Sequence, residues 1–231
     1  MKVGTDGVLL GAWAGVENAK TILDVGTGSG LIALMLAQRS HAAIDAIDIN
    51  PEAYEQAVGN IRESVFSQRI QVYLSSLNEY TGNTTNRYDL IVSNPPYFVQ
   101  SLRSPDNQRT VARHTDSLSL ESLLTDSSRL LSPGGRIALI LPADREDELN
   151  TLVENLSLSF LKKTYVIPIP GAPPKRILAE MTNTVPVKPS RCDDLLIEIN
   201  RHQYSPEYKA LTEAFYLGKS VKSCGGDTQE K

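Results

Sequence analysis

The chain has 231 residues, 41% hydrophobic and 22% charged, which suits one sizeable α/β domain of a soluble protein. Its net charge of −4 supplies no whole-molecule basic field, so a nucleic acid would have to meet a local patch. Cys192 and Cys224 form neither a C-x-x-C pair nor a Cys/His cluster, no apolar run reaches the roughly 18 residues of a membrane span, and residues 1–6 lack a signal-peptide core. The expectation is a cytoplasmic protein with no metal and no membrane partner, the monomer being favoured.

Residues 7–14 are a short apolar segment that Thr5 or Asp6 can cap as a helix. Residues 21–25 read as a strand entering Gly26-Thr27-Gly28-Ser29-Gly30, and residues 31–39 as an unbroken helix after it. Alternation predicts a second strand over residues 41–49. Asn50 then caps a helix with Pro51 at its first position, running to about residue 64. Residues 69–74 are a third strand and residues 75–86 a polar loop. A fourth strand, residues 88–93, is buried, because Leu90, Ile91 and Val92 are contiguous and Pro95 cannot extend a ladder. Residues 118–131 form a helix stopped by Ser132-Pro133-Gly134-Gly135, followed by a strand at 136–141 and a helix at 144–156. This order predicts a mostly parallel sheet covered on both faces.

The rhythm then changes. Residues 160–168 and 176–182 make an antiparallel hairpin around Pro170-Gly171-Ala172-Pro173-Pro174, and residues 195–199 a further short strand. Ser205 caps a last helix with Pro206 at its first position and Leu217 near its end. Residues 1–221 are expected to be one domain and residues 222–231 a disordered tail.

Two stretches carry chemistry. Asp24-Val25-Gly26-Thr27-Gly28-Ser29-Gly30 lies between a strand and a helix, where open α/β sheets bind ligands. The dinucleotide fingerprint needs glycine where Leu31 stands, and a carboxylate at Asp24 would repel a pyrophosphate. Asp24 suits a cationic ligand instead, such as the ammonium and sulfonium of S-adenosylmethionine. Asp48, closing the second strand, is placed to accept from two ribose hydroxyls. The structural alternative is a tight glycine turn capped by Asp24.

The second stretch is Asn94-Pro95-Pro96-Tyr97. Two prolines with fixed φ and no N–H leave the fourth strand in a stiff turn with exposed carbonyls. A flat molecule bearing an amino group suits it: Asn94 Oδ1 and the Pro95 carbonyl accept the two hydrogens while Tyr97 stacks on the ring and Phe98 extends the wall. The alternatives are a Pro-Pro turn that merely ends a strand and a Phe98 that packs in the core. Such chemistry needs no His or Cys nucleophile, so His41, His114 and His202 are read as surface or structural residues.

Together these residues resemble the class I S-adenosylmethionine-dependent methyltransferases over residues 1–141. That resemblance implies a Rossmann-like α/β fold, a mostly parallel seven-stranded sheet with helices on both faces and a C-terminal antiparallel hairpin. In its family Asn-Pro-Pro-Tyr marks enzymes that methylate a planar nitrogen, in nucleic-acid bases or in glutamine side chains. The opening Met1-Lys2-Val3-Gly4-Thr5-Asp6-Gly7-Val8-Leu9-Leu10-Gly11-Ala12-Trp13 and residues 208–217 are similar to the bacterial tRNA1(Val) adenine-37 N6-methyltransferases. By that resemblance tRNA is the partner, Asn94, Pro95, Pro96 and Tyr97 are catalytic, and Gly4, Thr5 and Asp6 lie by the cofactor's methionine end. Asp24, Gly26, Gly28, Gly30, Asp48 and Ser76 complete the cofactor site. Ser76 stands where the family commonly has an Asp accepting from the adenine amine, so weaker cofactor binding is expected. The family also carries an aromatic-rich segment ahead of this opening, which is expected to be truncated or absent here.

Between Phe160 and Arg191 six basic residues face one acid, Glu180, and Arg103, Arg109 and Arg113 follow the Pro-Pro turn. Lys175 and Arg176 are the candidate substrate contacts for RNA phosphates. The competing readings are a protein-glutamine methyltransferase and an RNA-binding relative without catalysis. Leu31 and Asp24 disfavour a nicotinamide dehydrogenase.

Overall fold

The computed structural model describes residues 4–96, 118–188 and 190–216. Its central feature is an eight-stranded sheet: β1 (Thr21–Val25), β2 (Ala43–Asp48), β3 (Ile70–Leu74), β4 (Tyr88–Ser93), β5 (Leu131–Pro142), β6 (Ser159–Ile167), β7 (Arg176–Thr182) and β8 (Arg191–Leu196), in the order β3-β2-β1-β4-β5-β7-β6-β8. The neighbours β3-β2, β2-β1, β1-β4, β4-β5 and β6-β8 pair in parallel. Only β7 runs antiparallel, to both β5 and β6. The expected hairpin is therefore the β6–β7 pair. A separate short pair, β9 (Glu198–Asn200) with β10 (Gln203–Tyr204), is antiparallel.

The sheet has eight strands where seven were expected, because β8 joins the edge beside β6. Its sequence Arg191-Cys192-Asp193-Asp194 is polar and mostly exposed, as an edge strand can be, so it shows no apolar alternation. The 75–86 stretch is also corrected: it holds α4 (Leu77–Asn83), whose N-cap Ser76 accepts from the Glu79 N–H. Ser-x-x-Glu is a capping-box spacing, but only Leu77 and Tyr80 are buried, too few to give a visible helical period.

The remaining helices follow their caps. In α2 (Leu31–Arg39) Ile32, Ala33, Met35, Leu36 and Ala37 are buried. In α3 (Pro51–Arg62) Asn50 accepts from the N–H groups of Glu52 and Ala53, and Ala53, Ala57 and Ile61 repeat every four residues on the buried face. Ser119 caps α5 (Leu120–Leu130), α6 spans Glu146–Asn155, and Ser205 caps α7 (Pro206–Thr212) with Pro206 at its first position. Leu217 and residues 222–231 lie outside the described residues. Ser132-Pro133-Gly134-Gly135 does not break the strand from the helix. It forms a bulge within β5, between the pairs Tyr88↔Leu131 and Leu90↔Arg136. Gly134 is at φ +77°, and a Cβ on Gly135 would lie 2.7 Å from the Tyr88 carbonyl oxygen.

α1 (Thr5–Trp13) is bolted to the sheet at both ends. Gly4 is its N-cap, without a side-chain cap, so Thr5 and Asp6 are in its first turn and do not cap it. Asp6 Oδ2 instead accepts from Arg176 Nε at 2.7 Å. At the other end the carboxylate of Glu180, 3% exposed, accepts from the Gly15 N–H at 3.1 Å and pairs with Arg136 at 3.3 Å and Lys162 at 3.8 Å. Lys162 also donates to the Trp13 carbonyl at 3.0 Å and lies 3.9 Å from the Trp13 ring centroid. Among the described residues no helix is long and apolar enough to cross a membrane. Glu180→Ala should destabilise the fold by about 2–3 kcal/mol, below the usual cost of breaking a buried pair because Arg136 and Lys162 keep some solvent contact. Denaturant unfolding measures it, and a loss near zero would show the cluster to be ornamental.

Candidate active site

The strand order reverses direction at β1, which has β2 on one side and β4 on the other. Ligands of open α/β sheets bind at such a point, beyond the carboxyl ends of the strands. Register lines those ends up: Leu74 with Asp48, Ile47 with Val25, Val25 with Ser93, and Ser93 with Leu139. The glycine loop after β1 and the Asn-Pro-Pro turn after β4 therefore leave the sheet side by side. Asp48 and Ser76 belong to the next two strand ends.

The loop's path is set by backbone geometry. Gly26, Gly28 and Gly30 have φ of +71°, +59° and +80°, which side chains resist. The N–H groups of Gly26 and Thr27 both donate to the Ile47 carbonyl, at 2.9 and 3.0 Å. A Cβ on Gly26 would meet nothing within 4 Å, so the loop presents an open face there, whereas one on Gly30 would press to 3.3 Å of Ile61. Asp48 ties the loop to its own strand, with Oδ2 accepting from the Gly28 N–H at 2.8 Å and Oδ1 from the Asn50 N–H at 2.9 Å. Each oxygen retains a second lone pair, so these bonds are compatible with hydroxyl donors.

Asp24 differs from its expected placement. It is wholly buried, and its Oδ2 accepts from Thr27 Oγ at 2.6 Å and from the Ala33 N–H at 3.1 Å. The carboxylate thus faces the loop and the start of α2, where it fixes the loop's shape from below. Burial, the largest cause, pushes its pKa from 3.8 up to about 7, against the two hydrogen bonds and with some help from Asp48. Its Oδ1 is buried without a hydrogen-bond partner.

Beyond β4, Asn94 is half-buried, Pro95 buried and Pro96 exposed. Ser93, fully buried, donates from Oγ to the Val25 carbonyl at 2.9 Å. Tyr97, Phe98, Arg103, Arg109, Arg113 and His114 lie outside the described residues. His41 and His202 are exposed, as read from the sequence. Thr5 is at the start of α1, which the Asp6–Arg176 pair holds against the start of β7, at the same end of the sheet because Arg176 is opposite Pro142 of β5. Lys175 is exposed beside it. Ser76 Oγ already accepts from Glu79 as a helix cap, so the predicted acceptor is partly committed. Sequence reasoning missed Thr27 and Ser93, whose hydroxyls donate to Asp24 and to the Val25 carbonyl, and Ile49. Ile49 is 52% exposed directly after Asp48, an apolar surface where a flat ring can lie. An apolar residue beyond the strand's acidic end was the available signal. No group of three His, Cys, Asp or Glu among the described residues could hold a metal ion.

The chain matches the methyltransferase small domain family over residues 7–167. It is 56% identical over 217 residues to a tRNA1(Val) (adenine(37)-N6)-methyltransferase of Parabacteroides distasonis, covering 94% of this chain and 91% of that protein. A protein of the same description from Porphyromonas gingivalis is 49% identical over 228 residues, covering 94% and 89%. Among solved structures, one described as a predicted O-methyltransferase of Agrobacterium tumefaciens superposes with a TM-score of 0.71 at 20% identity, over 90% of this chain and 96% of that one. It shares the fold.

The Asp24 carboxyl has a sign that can be tested. Its folded pKa is raised above the unfolded value, so the stability tied to its protonated form is full below about pH 4 and is lost as pH rises to about 7. Asp24→Asn should flatten that decline relative to the parent in denaturant midpoints measured across the window. Parallel curves would mean that Asp24 is ionised throughout.

Proposed function

Since the chain belongs to the family of tRNA1(Val) (adenine(37)-N6)-methyltransferases, we propose that it methylates the exocyclic N6 of an adenine in tRNA, with S-adenosylmethionine as donor. Position 37 of tRNA1(Val), the target that its relatives' names give, is the adenine we assign. The observation that supports the reading is the β1–β4 register, from which the glycine loop and the Asn94-Pro95-Pro96 turn leave neighbouring strand ends.

The donor set suits that cofactor. Four aligned strand ends span roughly 14 Å, enough for an elongated molecule lying across them. Asp48 would accept from ribose hydroxyls, Ile49 would support the adenine face, and the open face at Gly26 with the start of α1 near Thr5 would take the methionine portion. Gly28 and Gly30 shape the loop, Asp24 holds it from beneath, and Ser76 supplies a hydroxyl at the adenine end. When bound, the cofactor supplies a sulfonium methyl carbon as electrophile.

The difficulty lies in the acceptor, because an exocyclic adenine amine shares its lone pair with the ring. Asn94 Oδ1 and the Pro95 carbonyl would accept its two hydrogens, so their negative ends face the nitrogen as it becomes positive. The prolines keep those acceptors from rearranging, with Pro96 fixing the chain's exit. Tyr97 would stack on the base and Phe98 extend that surface. A base in an anticodon loop leaves its stack at less cost than one in a duplex. Lys175 would meet a phosphate at the rim, while Arg176 acts chiefly through Asp6 to position α1 and contacts RNA only secondarily. Action in the cytoplasm follows from the substrate.

Two measurements test this. With labelled cofactor and tRNA, mass spectrometry should find N6-methyladenosine in the product, and Asn94→Ala should cut turnover about 100-fold or more with cofactor affinity nearly intact. Unmethylated tRNA would refute the activity, and undiminished turnover by the variant the acceptor role. Lys175→Ala should weaken tRNA binding and lower the salt slope by about one; an unaltered slope would place Lys175 away from the RNA.

A further inference from the structure

β4 faces a local problem where it meets the crevice. A parallel ladder continues only while each strand offers N–H groups, and Pro95 and Pro96 offer none. Ser93 is the last residue of β4 and is paired with Val25, the last residue of β1. Its side chain is fully buried, and its hydroxyl donates to the Val25 carbonyl at 2.9 Å. This bond closes the seam one residue below both Gly26 and Asn94. Ser93 is thus a side-chain donor two residues before the first proline, at the last register pair of the ladder, and it ties the strand that leads into the Asn94 turn to the strand that leads into the glycine loop. Its burial excludes contact with either substrate.

Resting on the methyltransferase reading above, we propose that Ser93 is a positioning residue: its Oγ–H bond to Val25 sets the spacing between the glycine loop and Asn94, and so the alignment of donor and acceptor. The hydroxyl takes no part in bond making and acts through Asn94. The bond spans the last register pair of two strands at the switch point, so losing it lets Asn94 shift slightly relative to Gly26 while the backbone ladder below keeps the sheet folded. Valine or alanine would satisfy the hydrophobic surroundings as well as serine does, which makes the hydroxyl itself the informative group.

The test compares Ser93→Ala and Ser93→Thr with the parent and with Asn94→Ala. Misalignment well under 1 Å should lower kcat of Ser93→Ala about tenfold at saturating tRNA and cofactor, with both dissociation constants within about twofold of the parent. Ser93→Thr, which keeps the donor, should recover most of that rate. In an Asn94→Ala background the Ser93→Ala change should cost almost nothing further, because the residue through which it acts is gone. Equal losses in both backgrounds, or a fall confined to cofactor affinity, would overturn the proposal. A crystal structure of Ser93→Ala in which Asn94 keeps its distance from Gly26 would overturn it independently of turnover. A parent chain that leaves tRNA unmethylated refutes the functional reading instead, and the two failures are told apart by that control.

Discussion

Everything at the crevice depends on one backbone constraint, the parallel pairing of β1 with β4 from Ile22↔Leu90 to Val25↔Ser93. Side-chain direction alternates along a strand, so a slip of one residue would turn Asn94 to the opposite face and carry the prolines into the ladder. The register is strongly specified because both strands are almost wholly buried, with Ile22, Leu23, Leu90, Ile91 and Val92 at 0% exposure. A slipped pairing would have to bury Asp89 or expose Val92. Asp89 instead stays at the base of β4, where its Oδ2 accepts from the Lys20 N–H at 2.8 Å. The core thus determines the geometry of the chemistry above it.

The same argument extends outward through α1. This helix has few polar side chains of its own, and six of its nine residues are buried, so hydrophobic packing alone would leave its sliding along the sheet weakly opposed. Directional bonds at both ends remove that freedom. Glu180 and Lys162 hold the end of the helix near Gly15 and Trp13, and Arg176 holds Asp6 at the start. Arg39 adds two bonds, to the Gly11 and Ala14 carbonyls, both at 2.8 Å. Lys162 tolerates this half-buried setting although desolvation, the largest influence, lowers its pKa, because Glu180 and Glu17 oppose that shift. What looks in sequence like a basic hairpin is thus partly internal: Lys162, Lys163 and Arg176 all have carboxylate partners.

That last point marks the limit of reading charge from sequence. Six basic residues after Phe160 suggested a surface for phosphate, and the sequence could not say which of them pair with acids far away in the chain. Elements written in strong local terms were legible: the buried runs of β1 and β4, the Asn50-Pro51 start of α3 and the Ser205-Pro206 start of α7 coincide with the structure. α4 and β8 were not, since one is short and mostly polar and the other lies at an edge where solvent imposes no alternation. The site's outline was legible for a related reason. Glycines that adopt positive φ, a proline pair and acids at strand ends are demands of the backbone and therefore visible in sequence. The direction of the Asp24 carboxylate was not visible, because it depends on the Thr27 hydroxyl and the Ala33 N–H closing over it.

The crevice's electrostatics follow from where formal charge has been withheld. Asp24 lies so deep that burial raises its pKa to about 7, which limits the negative field it projects upward at neutral pH. Asp48, half-buried at the end of its strand, accepts from two backbone N–H groups. Asn94, between them and the acceptor side, carries a dipole and no charge. A carboxylate there would attract a polarised amine more strongly, but half-buried beside Pro95 it would also bear a desolvation cost and compete for any nearby cation. A neutral amide avoids both. Dipoles that need not reorganise can stabilise a developing positive charge without a formal one, and on the proposed reading the β1–β4 register is what would hold the amide of Asn94 in place for that task.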